Sequence, residues 1–378
     1  MRRSYLTLLI LLFCSGCWDM KEINQLAIVN IAGADKDPST GMITAYYQII
    51  NPSGVSTKSG GASGGAVYTY KLKEYSSGRF AEKTSSVMPR LFYTPHVQLY
   101  IVSERYAQQG LLDLINFLER DPERRTNVNI VVTDSPLSTV MNSYTFLERV
   151  PGRFVKSMFD LHARSYRNSI MPTRFRDLAK AINYHQPTII PILHYKSEQP
   201  ASKTDRMENI NASTEAMSFE DGAVFLNGRM VGRIDFDTKK YFFILNDKLK
   251  KFVESIEVNG ENVDVEVQDV KLNREFDRSS SRLTIKIRAE LRIINSKQPK
   301  PMTADNLHEV ESAFNRTLKE KAKSLDQLGK DKEWDLLGIQ DEGVNIKNWK
   351  EFPVAFVVNS KVTTIGNTGS PYKVEKSE

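Results

Sequence analysis

Cysteine is scarce in this sequence: its 378 residues include only two, Cys14 and Cys17. Two thiols so close together exclude a disulfide-stapled scaffold. Long apolar runs are equally scarce. Beyond residue 17 nothing approaches the roughly 18 consecutive apolar residues of a membrane-spanning helix, which excludes a polytopic membrane protein. Charge of one sign is not in excess either. The 52 Lys and Arg stand against 46 Asp and Glu, a net of +6, and the two signs are interspersed as on a solvated surface, so no nucleic-acid partner is expected. With 10% aromatic residues, 40% hydrophobic and 26% charged, the chain is not disordered. It is long enough for two or three domains.

Catalytic signatures are also thin. The sequence carries no Walker, dinucleotide-binding or EF-hand pattern and no HExxH. The five histidines are His96, His162, His185, His194 and His308, and no pair has the i, i+4 spacing of a helical zinc motif. His185 and His194 flank an apolar, proline-containing segment, where satisfied structural histidines are the simpler reading than a metal site. Gly61, Ser63 and Gly65 fit the letters G-x-S-x-G, but the motif needs a strand before it and a helix after it. Here it falls in the tract NPSGVSTKSGGASGGA, residues 51–66, which reads as a flexible loop. Asp121 to Arg125, DPERR, reads as a capping and salt-bridging turn.

The N-terminus is the most informative segment. Arg2 and Arg3 form a basic start, Leu6 to Phe13 is apolar but too short to span a bilayer, and Cys14-Ser15-Gly16-Cys17 follows at once. This reads as a signal peptide. Ser15-Gly16 before Cys17 resembles a bacterial lipobox, in which the cysteine thiol receives a diacylglyceryl group and the peptide is cut before it, here after Gly16. The position three residues before the modified cysteine usually holds Leu and here holds Cys14, also apolar and compact. Each buried CH₂ of an acyl chain is worth about 0.8 kcal/mol, and a single chain holds only marginally. Removal of Arg2 and Arg3 with the leader leaves a net charge of +4.

Periodicity organises the rest. Leu26–Ile31 reads as a first strand ended by Gly33, Met42–Ile50 and Val67–Glu74 as further strands, and Phe80–Leu91 as a helix. Val97–Val102 and Val128–Val132 are short apolar strands around an amphipathic helix, Tyr106–Leu118. Arg153–Tyr166 and Arg174–Tyr184 are helix candidates. Ile189–Tyr195 reads as a strand that Pro191 pushes to a sheet edge. Residues 196–217 are polar and read as a linker. Gly222 to Gly232 reads as a hairpin turning at Asn227-Gly228, and Tyr241–Phe252 as a short helix. Val263, Val265 and Val267 alternate with acids. Leu283 to Ile293 alternates apolar with charged residues, one face to the core and one to water. Leu307, Val310, Phe314, Leu318, Ala322 and Leu325 mark a long helix, about Asn306–Leu328, lying on that sheet. Val354–Val358 and Val362–Ile365 close the domain.

At this point the residues resemble a known family. Cys17-Trp18-Asp19, Glu22-Ile23, Leu26 and Gly33-Ala34-Asp35 are similar to the mature start of the Ger(x)C family, the C subunits of nutrient germinant receptors in spore-forming bacteria. The likeness continues through FYTPHVQLYIVSE, residues 92–104, and Leu114 to Arg125. It resumes at Gly222 to Phe225 and Val231-Gly232, and ends with Trp349-Lys350, Phe352-Pro-Val and Lys361 to Gly366. The segment between Trp334 and Phe352 is shorter than in many relatives, so no partner contact is carried onto it. The resemblance implies an N-palmitoyl, S-diacylglyceryl Cys17, attachment to the outer face of the spore inner membrane, and assembly with a multi-pass A subunit and a transporter-like B subunit. It implies no enzymatic activity, no cofactor and no known small-molecule ligand.

The expected fold is mixed α/β (α+β) in three domains of mixed sheet plus helices, of unusual topology by the resemblance. The divisions are a leader, 1–16; an N-terminal α/β domain, 17–142; a mostly helical middle domain and linker, 143–217; a C-terminal domain, 218–366, with an antiparallel-rich sheet under a long helix; and a tail, 367–378. The expected function is a lipid-anchored receptor subunit required for assembly or signalling of the nutrient-triggered germination response. The competing readings are a solute-binding lipoprotein of a transport system, which would have two similar lobes, whereas no internal repeat is present, and a surface hydrolase using Ser63.

Overall fold

A computed structural model describes residues 22–52, 65–120, 124–143, 150–164, 171–195, 217–277, 282–296, 304–341 and 349–365. Cys14, Cys17 and Ser63, most of the 196–217 linker and the tail from 367 lie outside the described residues.

Two sheets organise the described chain. The strands are β1 (Leu26–Lys36), β2 (Ile43–Ile50), β3 (Val67–Glu74), β4 (Leu91–Tyr93), β5 (Leu99–Ser103), β6 (Asn129–Thr133), β7 (Thr173–Arg174), β8 (Thr188–Tyr195), β9 (Met217–Ser218), β10 (Gly222–Leu226), β11 (Arg229–Ile234), β12 (Phe252–Val258), β13 (Glu261–Asp277), β14 (Arg282–Ser296) and β15 (Val354–Thr364). The first sheet runs β11-β10-β8-β6-β5-β1-β2-β3, with β4, β7 and β9 pairing beside this path. β8, β6, β5 and β1 are parallel, while β2–β3 on one flank and β10–β11 on the other are antiparallel. The second sheet, β12-β13-β14-β15, is antiparallel except for the last pair. The mixed α/β class and the antiparallel-rich C-terminal sheet are therefore as expected.

The helices are α1 (Phe80–Val87), α2 (Glu104–Gln109), α3 (Leu112–Glu119), α4 (Leu137–Met141), α5 (Pro151–Arg164), α6 (Phe175–Asn183), α7 (Phe236–Leu245) and α8 (Ala304–Lys332). They cover both faces of the parallel strands, as parallel sheets require. Tyr106, Leu111 and Leu114 from the α2–α3 region and Phe175 and Leu178 of α6 pack on one face. Leu137, Val140 and Met141 of α4 and Val155 and Phe159 of α5 pack on the other. In the second sheet Val263, Val265, Val267, Leu283, Ile285, Ile287 and Leu291 turn one fully buried face toward α8, which meets it with the expected stripe Val310, Phe314, Leu318, Ala322 and Leu325.

Several boundaries differ from the sequence reading, each for a local reason. Gly33 does not end β1. It lies inside the strand, where a Cβ would come within 3.0 Å of Met141 Sδ. The single helix expected over Tyr106–Leu118 is two helices broken at Gly110, whose φ of +108° turns the chain so that Leu111 N–H donates to Gly228 O at 2.8 Å. α7 starts earlier than expected because Asp235 caps it, accepting from Thr238 N. Pro191 is not at an edge, since β8 lies between β10 and β6. Pairing with β6 begins only at Ile192, while Thr173 of β7 donates to the Ile189 carbonyl at 2.5 Å. The hairpin is as expected, with Asn227 and Gly228 both at positive φ. Strands from all three of the expected segments enter the first sheet: β1 to β6 from 17–142, β8 from 143–217, and β10–β11 from 218–366.

Phe314→Ala, at a fully buried position under the second sheet, is expected to lower unfolding free energy by about 3–5 kcal/mol. Lys319→Ala, exposed on the same helix, is expected to change it by less than about 0.5 kcal/mol. Urea unfolding of the two variants checks this, and equal losses would place the stripe elsewhere.

Candidate functional site

Among the described residues the histidines do not converge. His185 sits at positive φ before β8 and its Nδ1 meets Asn227 Oδ1 at 3.0 Å, at the hairpin tip. His194 is at the opposite end of β8, where Nδ1 meets Asp134 Oδ2 at 2.8 Å and Nε2 lies 3.7 Å from Asp221 Oδ2. His308 pairs with Glu311 on α8. Among the described residues no group of His, Cys, Asp and Glu has the arrangement to hold a metal ion. Of the DPERR turn, Arg124 stacks its guanidinium 3.9 Å from the Phe117 ring centroid and donates to Phe117 O.

What the fold does bring together is the hairpin β10–β11 and everything around it. β10 is buried on both faces, and its alternating side chains enter two different cores. Ala223 and Phe225 pack with the first sheet's helices, and Val224 with the core of the second sheet. The tip docks on the α2–α3 break through the Leu111–Gly228 bond and through Arg229 Nε donating to Gln108 O at 2.7 Å. On β11, a Cβ at Gly232 would fall 2.5 Å from Trp334 Cη2, so only glycine lets that indole lie against the strand. Asn246 at the end of α7 donates to Leu336 O, tying the same loop down.

Lys239 locks the root of the hairpin. It is wholly buried on α7, and its ammonium donates to the carbonyls of Phe219, Glu220 and Asp221 at 3.1, 2.7 and 3.3 Å. Three donors thus meet three acceptors. Burial brings this lysine down to about 8 against the opposing pull of Asp221 and Glu220. Next to it, Lys240 reaches Glu254 of β12 at 2.8 Å, both side chains nearly inaccessible.

A polar cleft opens at the carboxyl ends of β1, β5 and β6, the edge where open α/β sheets place their ligands. Here its groups are bound to one another. Arg233 of β11 forks onto Glu104, with Nε–Oε1 at 2.8 Å, and also reaches Asp134 at 3.2 Å. His194 holds the same Asp134 oxygen. Asp35 accepts from Ser103 Oγ and from both Nε and Nη2 of Arg105. Burial raises the Asp35 carboxyl, but the hydrogen bonds from Arg105 and Ser103 outweigh it and hold the group below its ordinary value. Ser103 Oγ also accepts from Tyr106 N to cap α2, and Ser135 Oγ accepts from Tyr195 N, so these hydroxyls are committed to backbone and carboxylate. The cluster therefore joins strand ends to the hairpin. Sequence reasoning missed it because its members are far apart in the chain, Glu104 and Arg233 by 129 positions.

Fold and site together define a two-sheet α/β protein whose parts are locked through one shared hairpin. Residues 19–195 match the family described as "Spore germination protein N-terminal domain", and residues 220–366 match "Spore germination B3/ GerAC like, C-terminal". The chain belongs to this family, the C-type subunits of spore germinant receptors. It is 24% identical to Spore germination protein KC of Bacillus subtilis (strain 168) over 359 residues, covering 89% of this chain and 85% of that one. To the putative spore germination protein YfkR of the same organism it is 21% identical, covering 97% of each. Its fold matches the crystal structure of the GerBC protein with a TM-score of 0.53 at 12% identity, over 91% of this chain and all of that one.

Gly232→Val is expected to destabilise by about 1–3 kcal/mol through the clash with Trp334. Trp334→Leu in the same chain should recover part of that loss, a coupling read by urea unfolding of the double-mutant cycle. For Asp35 the sign follows from a lowered carboxyl. Its contribution is fully present above the unfolded value of 3.8 and is lost as pH falls through the lower folded value. The stability gap between wild type and Asp35→Asn should hold steady from about pH 7 to 5 and close below about pH 4. Curves that stay parallel down to about pH 2 would contradict the assignment.

Proposed function

We propose that this protein is a lipid-anchored, non-enzymatic subunit of a spore germinant receptor. Diacylglycerylated and N-palmitoylated Cys17, exposed by cleavage after Gly16, tethers it to the outer face of the spore inner membrane. There it assembles with the multi-pass A and transporter-like B subunits and supports their assembly or signalling. The observation that carries this reading is the position of Cys17, two residues before the matched family domains begin at residue 19. Eight residues separate Cys17 from Leu26 at the start of β1, so over these nine residue steps the tether spans at most about 30 Å at roughly 3.3 Å per step.

The surface where the chain reaches the body supports the same orientation. Leu26 of β1 pairs with Leu91 of β4, and Leu91 and Ile23 are both well exposed, at 61% and 76%. Large apolar groups at the tethered end suit a face turned toward lipid. Among the described residues no helix is long and apolar enough to cross a membrane, so the acyl chains would supply the attachment. Confinement to a membrane plane raises the effective concentration toward integral partners, so modest contacts suffice to hold a complex.

Cys17→Ala is expected to shift the protein from the membrane to the soluble fraction of spores and to abolish nutrient-triggered germination. Mass spectrometry of wild-type protein from spores should find the acyl groups on Cys17, and pull-down from solubilised spore membranes should bring the A and B subunits. An unacylated Cys17, or normal membrane retention and germination in the variant, would overturn the proposal.

A further inference from the structure

The second sheet ends on an edge that α8 guards at both ends and leaves open in the middle. β15 is the outermost strand of that sheet, bonded to β14 on one side. Successive residues of a paired strand turn their N–H and C=O groups alternately to one side and the other. Pro353 O accepts from Leu283 N, so the odd-numbered residues face β14. The even-numbered ones face outward. Val362 N donates to Glu311 Oε1 at 2.8 Å, and Phe352 O accepts from Lys330 Nζ at 3.0 Å. Glu311 and Lys330 belong to α8, which therefore runs antiparallel along the edge and caps it at each end. Between the caps, no described residue takes the outward N–H groups of Phe356 and Val358 or the carbonyls of Val354 and Phe356.

A groove of about 490 Å³ lies along this uncapped stretch, between α8 and Phe356, Val357 and Val358. Its helix wall carries Arg316, Lys319 and Lys323, spaced i, i+3 and i+7 on one helical face, with Glu320 the one acid among the described lining residues. Lys321 and Lys330 of the same helix are held by Asp237 and Asp326, whereas among the described residues the three groove cations form no ion pair. From Arg316 to Lys323 the helix advances about 10 Å at 1.5 Å per residue. Three alternate side chains of an extended strand span a comparable distance, about 13 Å. Val357, on the open face of the sheet, is 49% exposed. A bare edge invites pairing, and native chains block such edges with charge, proline or a covering helix. Here the helix blocks the ends of the edge and not its centre.

We propose that the centre of β15 is a docking edge for a partner polypeptide, an extended segment of alternating acidic and apolar residues that adds a strand to the second sheet. Its main chain pairs with the outward groups of Val354, Phe356 and Val358. Its acidic side chains lie on the α8 side, facing Arg316, Lys319 and Lys323, and its apolar ones lie beside Val357. In strand addition the main-chain bonds supply affinity and the alternate side chains supply selectivity. The inference goes beyond the receptor role proposed above and does not depend on anchoring at Cys17.

Dye-labelled peptides titrated against the full chain, read by fluorescence anisotropy, test this. The probes are Glu-Val-Glu-Val-Glu, Lys-Val-Lys-Val-Lys, and two N-methylated forms of the first, one methylated on its glutamates and one on its valines. The acidic peptide is expected to bind saturably, about tenfold or more tightly than the basic one. Only alternate N–H groups of an added strand face β15, so one methylated form should lose about tenfold or more and the other should keep its affinity. Lys319→Glu combined with Lys323→Glu should reverse the preference between acidic and basic peptides. Val358→Pro, which removes an outward N–H and no bond to β14, should weaken the acidic peptide about tenfold. If the unfolding midpoint shows Val358→Pro to be destabilised, the methylated pair and the charge reversal decide. No saturable binding, equal behaviour of the two methylated forms, or a preference unmoved by the charge reversal would each overturn the proposal. So would binding that appears only when residues 367–378 are removed.

Discussion

The structure depends on one strand being buried from both sides. β10 contributes Ala223 and Phe225 to the core of the first sheet and Val224 to the core of the second. A strand with two apolar faces cannot be withdrawn from either core without exposing the other. The residues matched as the C-terminal family domain therefore begin with a strand that completes the N-terminal domain's sheet. This makes the two family domains a single mechanical unit, because unfolding at the hairpin would open both cores together.

Polar contacts around the hairpin perform a different task from the apolar ones. Arg233, Glu104, Asp134 and His194 are partly exposed, and ion pairs in such settings add little net stability. Their value is geometric. A forked guanidinium accepts only a narrow range of carboxylate positions, so the network sets the register of β11 against the ends of β5 and β6. Lys239 is the opposite case. A buried ammonium costs several kcal/mol to desolvate and is tolerated only because three carbonyls receive it. It fixes Phe219 to Asp221, the stretch that delivers the chain into the hairpin, and its removal would take this donor from the carbonyls of Phe219 and Glu220, while Asp221 O keeps the N–H of Ile192.

Much of the fold was legible in the sequence where a single local pattern decided the outcome. The alternation through Leu283–Ile293, the three- and four-residue stripe of α8 and the Asn227-Gly228 turn each depend on neighbours a few positions away, and each is found where expected. Reading failed where a distant contact decided. Gly33 looked like a terminator because nothing nearby reveals Met141 pressing on it. The break at Gly110 exists to hand Leu111 N–H to Gly228, more than a hundred residues away. Pro191 suggested an edge, and only the insertion of β7 beside β8 explains its place inside the sheet. The charged joint was invisible for the same reason.

A short tether and a stiff body have a joint consequence for the proposed role. If the two family domains were joined by a flexible linker, a tether at residue 17 would confine only the first, and the second would sample a wide volume above the membrane. With β10 shared between cores, the position of the first sheet dictates that of the second. Under the proposed anchoring at Cys17, a contact made by α8 or the four-stranded sheet with an integral partner would then carry the entropic advantage of the anchor, more than two hundred residues away. The same stiffness works in reverse. A displacement of the C-terminal sheet by a partner would reach the N-terminal sheet through β10 and Lys239 rather than being absorbed in a loop, which is the mechanical property that a coupling subunit requires.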